Sequence, residues 1–69
     1  MLLSLQLNGS RVEVPSTVTT IAELIKHLQL EQKLLIVEHN EQVLKKSGHA
    51  TAELNSGDII EIVHFVGGG

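Results

Sequence analysis

Cysteine, tryptophan and tyrosine are absent from this 69-residue chain, and phenylalanine, proline and methionine each occur once. Without cysteine there is no disulfide staple, no thiolate metal ligand and no side-chain thiol nucleophile, a composition that fits a reducing compartment. With Phe65 as the lone aromatic, no platform exists on which nucleobases could stack. Basic residues are also scarce: five Lys and Arg stand against eight Asp and Glu, for a net charge of −3, and only Lys45 and Lys46 are adjacent. A surface that tracks nucleic-acid phosphates is therefore not expected. No apolar run approaches the roughly 20 residues of a membrane helix, and Met1-Leu2-Leu3-Ser4 lacks the basic start of a secretory signal. The expectation is a cytoplasmic protein that engages neither nucleic acid nor membrane.

What is present is enough for one small domain, near the size at which a single core can just sustain folding. Leu3, Leu5 and Leu7 alternate with Ser4 and Gln6, and Val12 and Val14 with Arg11 and Glu13, the period of two of half-buried strands. Asn8-Gly9 between them tolerates the positive φ angles of a tight hairpin turn, so the two segments should pair antiparallel. Pro15, lacking an N–H, should end the second strand. Thr20-x-x-Glu23 has the form of a capping box, and Ile21, Leu24, Ile25 and Leu28 then fall on one helical face, with an end placed loosely near Gln29 or Leu30.

Leu34-Leu35-Ile36-Val37 is apolar on both parities, which suits an interior or doubly covered strand. Glu38-His39-Asn40-Glu41 reads as a polar turn before a short strand at Val43-Leu44, and the signal from Lys45 to Glu53 is weak. Asn55-Ser56-Gly57-Asp58 is a turn that delivers the chain into Ile59-Ile60-Glu61-Ile62-Val63-His64-Phe65-Val66, a buried strand by its β-branched run. Gly67-Gly68-Gly69 can neither pack nor hold one backbone conformation. The expected organisation is a domain over residues 1–66 carrying a flexible glycine tail at 67–69.

Other candidate chemistry is thin. His27, His39, His49 and His64 form no i, i+4 pair and have no cysteine partners, so no metal site is expected and the histidines read as surface or satisfied groups. Glu13, Glu53, Glu61 and Asp58 read as solvated charges or turn formers, and no nucleophile and base stand together. Catalysis by the chain itself is not expected, and no catalytic residue is assigned.

Residues 57–69, Gly57-Asp58-Ile59-Ile60-Glu61-Ile62-Val63-His64-Phe65-Val66-Gly67-Gly68-Gly69, resemble the carboxyl-terminal signature of the thiamine biosynthesis sulfur carrier family. The early Leu7-Asn8-Gly9, the single capped helix and Val37-x-x-Asn40-x-x-Val43 match as well, so the resemblance covers the whole chain. Lys45 to Ala52 departs from it, having neither the Pro nor the aromatic common there. The resemblance implies an α+β fold of the ubiquitin-like β-grasp type, a mixed sheet of four to five strands curled around one main helix, with first and last strands adjacent and parallel.

It also implies a cycle. A ubiquitin-activating-type enzyme uses ATP to adenylate the Gly69 carboxylate, a cysteine desulfurase system supplies sulfur to form a thiocarboxylate, and thiazole synthase takes that sulfur into the thiazole of thiamine. No cofactor is bound by the carrier; ATP belongs to the activating enzyme. An ionised carboxylate is a poor electrophile, which is why activation must precede sulfur attack. Gly67 and Gly68 would thread into a narrow partner site, and ordering such residues costs about 1–2 kcal/mol each, so a docking surface elsewhere is needed. Strand parity turns Ile60 and Ile62 inward and Val63 and Phe65 outward. Val63 and Phe65, with Val66, Ile36 and the tail-proximal His64, are the docking candidates. Two alternatives remain at this level: a molybdopterin-synthase-type sulfur carrier, and a noncatalytic β-grasp interaction module that never uses its terminus.

Overall fold

The computed structural model describes residues 1–64. Its first two strands, β1 (Leu2–Leu7) and β2 (Ser10–Pro15), pair antiparallel with Leu7 opposite Ser10. That register leaves Asn8-Gly9 as the whole loop, with φ of 49° and 84°. Two successive positive φ values match the right-handed twist of the flanking strands, and Asn followed by Gly is the pair that enters this region at least cost. Pro15 closes β2, at a sheet edge where its missing N–H removes no ladder bond.

Helix α1 (Ile21–His27) is too short to persist alone and is held by its buried face, Ile21, Leu24 and Ile25. Its start differs from a full capping box. The Glu23 N–H donates to the Thr20 hydroxyl oxygen at 3.2 Å, but the Glu23 carboxylate accepts from the Thr19 hydroxyl at 3.2 Å instead of reaching back to Thr20. At the other end Leu28 is the cap and Gln29 takes φ 61°. The Leu30 N–H donates to Ile25 O at 2.9 Å and the Gln29 N–H to Lys26 O at 3.0 Å, the paired bonds of a Schellman ending. The helix therefore stops without glycine, at the strain of a left-handed glutamine.

Strands β3 (Leu35–His39) and β4 (Gln42–Leu44) form a second hairpin with His39 opposite Gln42. Glu38 and His39 are strand residues, a correction to the sequence expectation, and the turn is Asn40-Glu41 alone, with φ of 50° and 71°. A 3₁₀ turn at Lys46–Gly48 follows, and β5 (Ile59–His64) completes a sheet of order β2-β1-β5-β3-β4. β1 and β5 run parallel and β3 pairs antiparallel with β5, so the last strand occupies the centre. β3 is interior too, yet its second face is not covered: Leu34, just before it, is 72% exposed and Ile36 43%.

The core lies on the helix side of the sheet. Leu5, Val14, Val37, Ile60 and Ile62 meet Ile21, Leu24 and Ile25, with Val18 and Leu54 brought in from the connections. Ten buried aliphatic side chains with no aromatic make up the core of the described residues, so each contributes a large share.

Candidate functional site

The centre of this molecule is the strand that leads to the chain's last glycines, and two turn asparagines grip it. The Asn8 Nδ2 donates to Ile62 O at 3.1 Å while its Oδ1 accepts from the Ile62 N–H at 2.8 Å. On the other edge of β5, Asn40 Oδ1 accepts from the Ile59 N–H at 2.8 Å and the Asn40 N–H donates to Ile59 O at 2.8 Å. Each asparagine stands in its positive-φ turn position just past the end of a neighbouring strand, β1 or β3. Its side chain continues that strand's ladder where the backbone has turned away.

A buried polar knot fixes the entry to β5. Asp58 is 8% exposed and its Oδ2 accepts from His39 Nε2 at 2.7 Å and from the Asn55 N–H at 2.9 Å, while its Oδ1 accepts from Asn40 Nδ2 at 3.2 Å. Burial by itself would raise the Asp58 carboxyl, but the His39, Asn55 and Asn40 donors outweigh it and hold the group below its ordinary value. His39 is thus a satisfied histidine. His49 is not: it is 9% exposed and its Nε2 has no hydrogen-bond partner. Burial pushes its pKa down, Lys46 adds to that, and the Leu44 backbone opposes it.

On the sheet face away from α1, Val63 is 55% exposed and its register partner Ile36 43%. The structure brings these two docking candidates together across β3 and β5, while Ile60 and Ile62 are buried as the parity argument requires. His64 is exposed at the end of β5, opposite Leu35. Phe65, Val66, Gly67, Gly68 and Gly69 lie outside the described residues. Sequence reasoning missed Val43, 67% exposed, and Ile59, 43% exposed, on the same face. Val43 stands opposite Glu38 in the β3–β4 register, and placing the hairpin turn at Asn40-Glu41 would have found it.

Among the described residues no group of three metal-ligating side chains comes together, and no helix is long and apolar enough to cross a membrane. A cleft of about 340 Å³ lies elsewhere, lined in part by Ala22, Ile25, Leu35, Lys46 and His49. None of the described candidate site residues, Ile36, Val63 and His64, lines it.

The sequence profile of the ThiS family matches residues 4–69, nearly the full chain and all of its glycine end. The chain belongs to the ThiS family. Among ThiS relatives, the sulfur carrier protein ThiS of Bacillus subtilis is 48% identical over 65 residues, spanning 94% of this chain and 98% of that protein. A protein of Paramagnetospirillum magneticum named thiazole synthase is 34% identical over 67 residues; the match takes in 97% of this chain and only 20% of that protein. The crystal structure of the thiamine biosynthesis protein ThiS from Geobacter metallireducens aligns with a TM-score of 0.80 at 29% identity, covering 97% of this chain and 100% of that one. The five-stranded mixed sheet on one helix is the β-grasp of the ThiS fold.

Proposed function

We propose that this chain is a sulfur carrier for thiamine biosynthesis, a protein co-substrate and not a catalyst. The observation that carries the reading is the family match running through Gly69, joined to 48% identity with a protein named as a sulfur carrier over almost the length of both. In this reading residues 1–66 are the mount and 67–69 the reactive tail. A ubiquitin-activating-type enzyme joins the Gly69 carboxylate to AMP, releasing pyrophosphate from ATP. A persulfide from a cysteine desulfurase system then attacks the acyl carbon and AMP leaves; a thiol cleaves the resulting acyl disulfide, becoming a disulfide itself and releasing the thiocarboxylate. Thiazole synthase is the acceptor; the similarity of this chain to one fifth of a protein so named supports that partnership.

The architecture suits a carrier because the strand leading to the tail is central and held on both edges, by Asn8 at Ile62 and Asn40 at Ile59. A partner pulling on the terminus loads a strand with neighbours on both sides. Val63 and Ile36, with Phe65, Val66 and His64, form the docking surface of this reading, and Gly67 and Gly68 the threading segment.

The test is intact mass with fragmentation of the chain from its native cells, and again after incubation with ATP, the activating enzyme and a sulfur source. Replacement of oxygen by sulfur at Gly69, trapped by alkylation, is the expected result. Met1 oxidation gives nearly the same mass shift, so localisation decides. A terminus that stays unmodified under loading conditions refutes the reading and favours an interaction module, for which deletion of Gly69 would leave binding unchanged.

A further inference from the structure

The outer sheet face is built in alternating rows. Ile36 stands opposite Val63, then Glu38 opposite Glu61 with Val43 on the far side of Glu38, then Ile59 beside Gln6. Four of the seven exposed large apolar side chains of the described residues lie here, Ile36, Val43, Ile59 and Val63. Between them two glutamates, Glu38 and Glu61, stand directly opposite one another in the register. Residues paired this way have Cβ atoms about 4.5–5.5 Å apart, and like charges at that spacing destabilise a sheet. Neither Glu38 nor Glu61 has an ion-pair partner among the described residues. The basic strand residue that shares the face, Arg11, sits on β2, beyond β1, and is engaged by Glu13 at 3.7 Å and Ser4 at 3.0 Å; Lys45, just past β4, makes no ion pair with either glutamate among the described residues.

We propose that the Glu38–Glu61 pair is the selective element of the docking face. It receives an arginine or lysine that a protein partner presents within an apolar surround. This rests on the carrier reading, in which the first such partner is the adenylating enzyme. Two carboxylates side by side match the forked donors of a guanidinium, and a ring of branched aliphatic side chains excludes water and strengthens that bond. Charge decides between occupants. Nucleic acid and anionic membrane are repelled by this pair and by the net charge of −3. A second copy meeting the same face across a two-fold axis would set carboxylates against carboxylates. A basic patch in an apolar frame is the complement that relieves the repulsion the isolated carrier bears.

The experiment uses the full chain and the adenylating enzyme from the same cells. Affinity and association rate are measured across a salt series for wild type, Glu38→Gln, Glu61→Gln, the double variant and Val63→Ala, with thermal unfolding of each and sulfur loading of wild type at saturating enzyme. The double variant is expected to bind about tenfold to a hundredfold more weakly, with a flatter salt dependence, and to unfold at the same or a higher temperature than wild type. Val63→Ala is expected to weaken binding and keep the wild-type salt slope. If wild type is loaded at Gly69 but the double variant matches it in affinity and salt slope, the inference is overturned and the carrier reading stands. If wild type neither binds nor is loaded, both fall. Salt-insensitive wild-type binding also overturns the inference.

Discussion

Replacing Asn8 tests whether the central strand is held by its side-chain clamp or by the ordinary ladder alone. Asn8→Ala removes both bonds to Ile62, at 3.1 and 2.8 Å, and leaves the N–H and C=O of that residue without partners in a part-buried position. Stranding two such groups costs about 1 kcal/mol each at this partial burial. The substitution also forces alanine to φ 49°, adding about 1 kcal/mol or more. The total is about 3 kcal/mol. Asn8→Gly separates the terms, since glycine accepts the angle and loses only the clamp, for about 2 kcal/mol. In a domain this small 1 kcal/mol moves Tm by about 4–8 °C, so the glycine variant should melt about 8–16 °C lower and the alanine variant lower again. Hydrogen exchange adds the local reading: the Ile62 amide should exchange faster in both variants relative to amides in the β1–β2 hairpin. An Asn8→Gly protein within about 2 °C of wild type, with Ile62 protection unchanged, refutes the clamp.

Asp58→Ala should cost about 2–4 kcal/mol by urea unfolding, because His39, Asn40 and the Asn55 N–H lose one shared acceptor at an 8% exposed site; a loss under about 0.5 kcal/mol would show the knot to be ornamental. The folded Asp58 carboxyl sits below its ordinary value of 3.8, so its stabilisation is complete above that value and is lost as pH falls through the folded pKa; Asp58→Asn should flatten this acid limb. His49 has the opposite chemistry but the same slope: its folded pKa lies below its ordinary 6.5, so the unfolded chain binds the proton first and stability falls as pH drops below about 6.5. His49→Leu should remove that slope, and an unchanged pH profile between about 7 and 5 would overturn the assignment. Gln29→Gly and Glu41→Gly relieve φ of 61° and 71° and should each stabilise by about 1 kcal/mol, additively in the double variant since they lie in separate turns; no gain in denaturation midpoint would mean the angles carry no strain.

The first hairpin was legible because Asn8-Gly9 lies between two alternating runs, and local turn chemistry there agrees with the pattern on both sides. The second hairpin was only half legible for the mirror reason. Asn40-Glu41 makes the same two-residue turn, but glutamate at φ 71° is chosen by the pairing of β3 with β4 and not by its own preference. The inward set Ile60 and Ile62 and the outward Val63 followed from a period of two. Which neighbours share the outward face depends on strand order: the family resemblance implied only that the first and last strands are adjacent and parallel, and β3 on the other side of β5 had no sequence signal. The buried roles of Asp58 and His49 had no sequence signal, because a turn aspartate and a loop histidine look alike whether water or a helix covers them. Gly69, whose carboxylate the proposed cycle modifies, was named by resemblance alone; the family match extends to it.

Several features of the chain reduce its stability, and their locations divide them. Gln29 and Glu41 hold left-handed angles, and His49 buries a nitrogen without a partner, all off the outer-face rows around Val63. Glu38 and Glu61 repel one another within those rows. A domain of this size has a reserve of only a few kcal/mol, so each of these is a sizeable fraction of it. Strain in a turn can be relieved by glycine with no change in what the sheet presents to a partner. Repulsion between Glu38 and Glu61 can be relieved from within only by changing the face itself, whereas a bound cation relieves it and leaves the face intact. Stabilising substitutions should therefore fall into two groups: at Gln29 and Glu41 they leave partner binding as it is, and at Glu38 and Glu61 they trade binding for stability.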